Sequence, residues 1–322
     1  MKKILLAALF ASTVLIVPQK TRAQEISFGV FYSSLSPYGR WINNSAYGMC
    51  WQPVGVPTWW RPYTYGHWVW TDYGWTWVSN YQWGWATFHY GRWSYDPYYG
   101  WIWVPGYVWA PAWVQWRWGG GYAGWAPLPP GFHFRLDAVM GPEGDDFGVG
   151  IGGWTFIRGN EMGMTRYRFI DRRDVPRFFG YTRNVTRFNF TARGVFSVGL
   201  SREQVEKVAR RRIGTVTIDR SSDPGRERVE GDRVRIYSPA PFRPQVRNEQ
   251  EVIQRERADQ RSFFKREPAV QPRNERNQPK VQPRGEVRSR QRQEVKPGRN
   301  KDAHEKAPQD RSKEKKGPGR GR

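Results

Sequence analysis

The 322-residue chain carries a net charge of +23 and one cysteine, Cys50, which excludes an intramolecular disulfide and a thiolate metal cluster and leaves that residue the role of a small apolar side chain. The charge is unevenly placed. Residues 25–130 hold four Arg against three acids, 131–240 twenty basic residues against fourteen acidic and 241–322 twenty-four against twelve, while all 19 Trp lie between Trp41 and Trp154; three stretches with different physics follow.

Lys2 and Lys3 precede an apolar run from Ile4 to Val17 and then Thr21-Arg22-Ala23, the order of a secretory signal peptide cut after Ala23. The mature chain is expected to begin at Gln24 and to lie outside the cytoplasm, in the periplasm, on the outer membrane or secreted. About 14 apolar residues fall short of the roughly 20 that cross a bilayer. No later segment is apolar enough to span, so the protein is not expected to be membrane-spanning, and no cysteine near the cut marks a lipoprotein.

One unit then recurs: Pro37-Tyr38-Gly39-Arg40-Trp41, Tyr65-Gly66-His67-Trp68 and Tyr90-Gly91-Arg92-Trp93. Each copy is answered downstream, by Tyr47-Gly48-Met49-Cys50-Trp51, Tyr73-Gly74-Trp75-Thr76-Trp77-Val78 and Tyr99-Gly100-Trp101-Ile102-Trp103-Val104. Asn43-Asn44-Ser45, Thr71-Asp72 and Asp96-Pro97 separate the halves. Two runs of alternating aromatic and β-branched residues around such turn formers predict β-hairpins, with no helix across Trp68 to Val104. A single hairpin is marginal in water, so the copies must pair or stack. A degenerate fourth copy runs through Trp109, Trp113, Trp116, Trp118 and Gly119-Gly120-Gly121 to Trp125. The whole fits a meander or a small closed β-structure.

The Tyr-Gly-Arg-Trp and Tyr-Gly-Trp-x-Trp units, closing on Trp125-Ala126-Pro127-Leu128-Pro129-Pro130, resemble a large family of exported bacterial proteins known only as a domain of unknown function. The likeness continues through Asn184-Val185-Thr186, the helix from Ser201 and Gly231 to Tyr237, and so covers roughly residues 35–240. Cys50 departs from the pattern of paired tryptophans. The resemblance implies export and a repeat scaffold, and carries over no catalytic residue.

Residues 131–240 read as a small α+β region with apolar alternation in 147–157, 166–170, 185–190, 215–218 and 234–237. Its one helix starts at a Ser201/Gln204 capping box, with Arg210 to Arg212 in the last turn and Gly214 ending it. From 241 onward Arg, Lys, Gln, Glu and Pro displace apolar residues, a composition that buries too little surface to offset chain entropy, so 241–322 reads as a disordered basic tail. Glu249 to Phe264 has a poor helical pattern that supports no more than a transient helix, and Phe263-Phe264 is the tail's only sticky spot. The fold class is mainly β: residues 1–23 signal peptide, 24–130 aromatic hairpin repeats, 131–240 α+β, 241–322 tail.

No catalytic, cofactor or metal constellation stands out. A strand rather than a helix follows Gly148-x-Gly150-x-Gly152-Gly153, which argues against a dinucleotide loop; Glu143, Asp145 and Asp146 match no calcium loop; His67, His89, His133 and His304 are scattered. The expected function is a non-catalytic, extracytoplasmic structural or binding protein of the cell envelope. Trp68, Trp70, Trp75, Trp77, Trp93, Trp101 and Trp103 form its candidate aromatic surface, and Arg288, Arg290, Arg292, Lys313, Lys315 and Lys316 its candidate polyanion contacts. The partners implied are envelope glycans or anionic polymers such as lipopolysaccharide or peptidoglycan, or other envelope proteins. The alternative is extracytoplasmic nucleic-acid binding, with the tail neutralising phosphates and the rings stacking bases; only four Arg in residues 25–130 weighs against it.

Overall fold

Four antiparallel hairpins organise the Trp-rich stretch, and each is built on a pair of tryptophans facing one another across the strands. The computed structural model describes residues 26–131, 133–134, 139–140, 148–191, 194–221, 224–237 and 249–266. Strands β1 (Gly39–Asn44) and β2 (Gly48–Pro53) set Trp41 opposite Trp51, and β3 (Gly66–Thr71) and β4 (Gly74–Ser79) set Trp68 opposite Trp77. Strands β5 (Arg92–Asp96) and β6 (Gly100–Val104) oppose Trp93 and Trp103, and β7 (Val114–Gly119) and β8 (Tyr122–Pro127) oppose Trp116 and Trp125. Directly opposed residues are the closest side-chain neighbours in a sheet, so each hairpin carries its own aromatic nucleus.

Local chemistry sets both the turns and the glycines. Asn44 Oδ1 accepts from the backbone N–H of Ala46 and Tyr47, Asp96 Oδ1 from Tyr98 and Tyr99, and Thr71 Oγ1 from Tyr73. These side chains mimic a backbone turn, which is why the turns lie beside the Asn, Asp and Thr expected to make them. A Cβ on Gly39, Gly66 or Gly91 would lie 2.3, 2.3 or 2.2 Å from the carbonyl oxygen of Gln52, Val78 or Val104. It would also strike the indole of Trp51, Trp77 or Trp103. The second-strand indole lies across the glycine, which accounts for the Tyr-Gly-x-Trp spacing.

The hairpins assemble neither as a meander nor as a closed structure. Strand β2 pairs with β6 at Trp51 opposite Trp103, giving the order β1-β2-β6-β5, while β3 and β4 form a sheet of their own. The reason is that rings pack best on rings. Trp68 lies 4.6 Å from Trp116 and 5.6 Å from Trp125, and Trp83 lies 5.1 Å from Trp51 and 5.6 Å from Phe88. Edge-to-face and tilted packing of indoles between sheets therefore outweighs continuation of the edge ladder. Trp83 precedes a single helical turn, α2 (Gly84–Thr87), in the connection from β4 to β5. That turn overturns the expectation of no helix between Trp68 and Val104; it swings Trp83, Trp85 and Phe88 into the core together. A second unanticipated helix, α1 (Phe28–Leu35), is capped by Ser27 and buries Phe28, Phe31 and Leu35 at i, i+3 and i+7.

The later chain wraps this block rather than standing beside it. The short strands β9 (His133–Phe134) and β10 (Val139–Met140) pair with each other, and β11 (Thr155–Arg158) joins β8. After α3 (Val175–Tyr181), β12 (Arg183–Asn184) joins β7, and β13 (Arg187–Thr191) and β14 (Gly194–Val198) form a hairpin. Helix α4 (Arg202–Ala209) leads to a sheet of β15 (Thr217–Ser221), β16 (Arg228–Glu230) and β17 (Arg233–Tyr237). The capping box forms as expected, with Ser201 Oγ accepting from Gln204 N. The helix stops at left-handed Arg210 rather than at Gly214, so the Arg triplet lies past its end and Arg211 donates to the Met162 carbonyl. Residues 166–170 are not a strand. Phe196, Leu200, Val205, Ile213, Val234, Ile236 and Tyr237 share one core with the tryptophans, so the boundary expected at 130 divides sequence and not core.

Within the expected tail, the segment read as no more than a transient helix is the helix α5 (Glu249–Arg266), packed on the N-terminal block. Asp259 Oδ2 accepts from Phe28 N–H (2.7 Å) and from the Tyr107 hydroxyl (2.8 Å), and the rings of Phe263 and Phe264 stand 5.4 and 5.6 Å from Phe28. The sticky pair is a docking point on α1. Residues 1–25 and 267–322 lie outside the described residues.

The glycine argument yields a direct test. Gly91 has φ +63° and no room for a methyl, whereas Gly100 has φ +75° and nothing within 4 Å. Gly91→Ala should cost about 2–5 kcal/mol by denaturant unfolding, from backbone strain plus overpacking, and Gly100→Ala only about 1–2 kcal/mol.

Candidate functional site

The aromatic surface anticipated from sequence is for the most part a core. Trp68, Trp75, Trp77, Trp93 and Trp103 are each 4% exposed or less, so none presents a ring face to a ligand. Alternation along a strand shows which rings share a face and not whether another sheet covers it. Trp70 and Trp101 remain half-buried, on different sheets, against Trp75 and Tyr95 respectively. The exposed aromatics are others, including Trp59, Tyr95 and Tyr98, in or beside connections. Arg288, Arg290, Arg292, Lys313, Lys315 and Lys316 lie outside the described residues, as do Glu143, Asp145 and Asp146.

The titratable centre is one that sequence spacing did not single out. His89 follows α2 and is fully buried, with its ring stacked on Trp109 at 5.5 Å. Its Nδ1 lies 2.8 Å from the Ala110 carbonyl, which can only accept, so Nδ1 carries a proton. Its Nε2 lies 2.8 Å from Glu227 Oε1, and Glu227 Oε2 accepts from Ser79 N–H at 2.6 Å. Burial alone would push the imidazole pKa down; the Glu227 carboxylate and the carbonyls of Ala110 and Trp77 outweigh it and hold the pKa above the ordinary histidine range. With both groups sealed from solvent, the pair clamps the 224–237 segment onto the β4–β5 connection. Arg226 reinforces the clamp through Gln82 and Asn80.

Two other buried groups are structural in the same sense. Arg61 donates to the Trp154 carbonyl at 2.7 Å, and burial lowers its pKa to about 10. The Cys50 thiol, buried within β2, is pushed up to about 12 by burial and then by the Asp96 charge, which leaves it unreactive. Among the described residues no three His, Cys, Asp or Glu side chains are grouped to hold a metal ion.

Among the described residues, an open groove of about 880 Å³ lies between the β1–β2 turn and α5. Arg257, Arg261 and Lys265 line one wall and Asn43 to Tyr47 the other. The Asn44 carboxamide, which shapes its own turn, also donates to Asp96 Oδ2, tying the first hairpin's turn to the third's.

Residues 32–132 match a family of unknown function, DUF6600. The match spans the four hairpins and stops short of α4 and β17, so the likeness read on to residue 240 is not part of it. No curated protein and no solved structure matches the chain.

Two measurements test this assignment of core and clamp. Trp103→Ala should cost about 3–5 kcal/mol in chemical denaturation, with a distinctly smaller loss for half-exposed Trp101→Ala. The clamp should make stability depend on pH. His89 holds its proton more tightly folded than unfolded, so its stabilisation is full below about pH 6.5 and is lost as pH rises through the raised folded value. Glu227→Gln can still accept from Ser79 and can donate to a neutral His89. Denaturation midpoints should therefore fall as pH rises from about 6.5 through the raised folded value in the native protein and stay flat over that range in that variant. Glu227→Ala should cost about 3–5 kcal/mol.

Proposed function

We propose that the protein is a non-catalytic, extracytoplasmic scaffold of the cell envelope that engages anionic envelope polymers through its cationic C-terminal part. The observation that supports this reading is the burial of the aromatic repeats: the tryptophans build a rigid body, and the cations are left for contact. It also weighs against nucleic-acid recognition by base stacking, which needs open ring faces along a basic groove. The Tyr-Gly-x-Trp units are the signature of the scaffold, because an indole lying across the glycine of each of the first three hairpins fixes that spacing. The leader read at residues 1–23 supplies the export.

Binding of a cationic segment to a polyanion is driven by counterion release and weakens steeply with salt. Retention of the full chain on lipopolysaccharide or heparin resin should fall about a hundredfold to a thousandfold between about 50 and about 200 mM salt if roughly six cations engage. Removal of residues 267–322, which leaves α5 in place, should shift elution to lower salt. Unchanged elution, or retention indifferent to salt, would overturn the polyanion reading.

A further inference from the structure

We infer that the groove between the β1–β2 turn and α5 is a specific binding site for an acidic glycan, an inference that rests on the polyanion reading above and names its ligand class and its place. Positions 257, 261 and 265 are four apart, so Arg257, Arg261 and Lys265 stand on one face of α5 about 6 Å apart along its axis. Among the described residues no carboxylate pairs with them; the helix's Asp259 is spent on Phe28 and Tyr107. Arg and Lys only donate, so this wall calls for a row of negatively charged acceptors.

The opposite wall has different chemistry. The Asn43 carboxamide and the Ser45 hydroxyl can both donate and accept, and neither is committed to a partner among the described residues. Such groups suit hydroxyls rather than a bare phosphate. Met49 and Phe264 add apolar surface between the walls. A ligand with anions at intervals of about one helical turn, hydroxyls along its other edge and C–H faces between them is an acidic sugar chain. The groove's volume suits a segment of a few residues. The Phe264 ring is already engaged by Phe28, Tyr32 and Phe263, which leaves it poorly placed to stack a base.

The site is built by docking rather than by one element. Asp259 and the Phe263-Phe264 pair hold α5 on α1, and that contact sets the cations opposite the turn. Asn44, fixed by its own turn and by Asp96, keeps the turn in register. The cations are exposed and take no part in the docking, so replacing them should leave the fold intact.

The test uses the full chain and fluorescently labelled tetragalacturonate, with its neutral methyl ester and a short single-stranded DNA as comparison probes. Two triple variants remove equal charge: Arg257→Gln/Arg261→Gln/Lys265→Gln in the groove and Arg288→Gln/Arg290→Gln/Arg292→Gln in the tail. The groove variant should weaken tetragalacturonate binding by at least about thirtyfold and the tail variant by about threefold. Asn43→Ala, which changes no charge, should weaken it about fivefold. The methyl ester should bind neither wild type nor variants, and the unfolding midpoint of the groove variant should match wild type. Equal losses in the two triples, or no effect of Asn43→Ala, overturns the groove while leaving charge-driven polyanion binding by the tail in place. DNA binding that exceeds tetragalacturonate binding and falls with the groove variant assigns the groove to nucleic acid and overturns the glycan. Absence of any retained polyanion on resin removes the broader reading itself.

Discussion

Each hairpin of this protein exists because an indole faces an indole. Aromatic rings bury more area than any aliphatic side chain, and here they do so in pairs opposed across two strands, so a hairpin of five or six residues a side acquires a nucleus that a short strand pair otherwise lacks. The same constraint dictates the glycine two positions ahead of the first tryptophan in three of the hairpins, because the second indole occupies the space a Cβ would need. It also dictates the assembly, since rings that project from a sheet must be covered by other rings, and the sheets meet where they can do that.

Those rings carry donors as well as area. The second-strand indoles of Trp51, Trp103 and Trp125 donate to the carbonyls of Leu35, Tyr90 and Tyr63, pinning the connecting chain to the hairpin. Their first-strand partners Trp41, Trp93 and Trp116 have buried indole N–H groups with no acceptor among the described residues. A buried donor left unmet costs about 1–3 kcal/mol, partly offset where it points at a neighbouring ring. In these three pairs the two tryptophans are therefore unequal, one supplying area and anchorage and the other area alone, whereas in the second hairpin neither Trp68 nor Trp77 meets an acceptor for its indole N–H among the described residues.

How much of this was legible in the sequence follows from the range of the interactions involved. The hairpins and their turns are local, written in period-two alternation and in Asn, Asp and Thr beside the reversal, and so they could be read; the capping box at Ser201 is local too. Sheet assembly is not local. Nothing near Trp51 tells it to meet β6 rather than a strand of the second hairpin, so the meander was the natural but mistaken expectation. The candidate ligand platform failed for the same reason, because burial of Trp68 and Trp77 is decided by Trp116 and Trp125 roughly half the block away. His89 carried no signal, since its partner lies far downstream in a segment without a motif. Helix α5 carries only a transient helical signal because its few apolar residues are poorly spaced for a helix face, and the Phe263-Phe264 pair holds it only once α1 exists to receive those rings.

The clamp between His89 and Glu227 bears on the order in which the molecule can be made. Synthesis runs from the N-terminus, so all four hairpins have left the ribosome long before Glu227 does, and until it arrives Ser79 and His89 lack their buried acceptor. The same delay applies to Thr186, whose hydroxyl receives the Trp116 N–H, and to Leu200, whose carbonyl receives the Trp75 indole. Until those later segments arrive, the aromatic block lacks polar partners and ring cover that it has in the finished structure. Contacts so distant in sequence form slowly, and during that interval a chain this rich in tryptophan is prone to self-association.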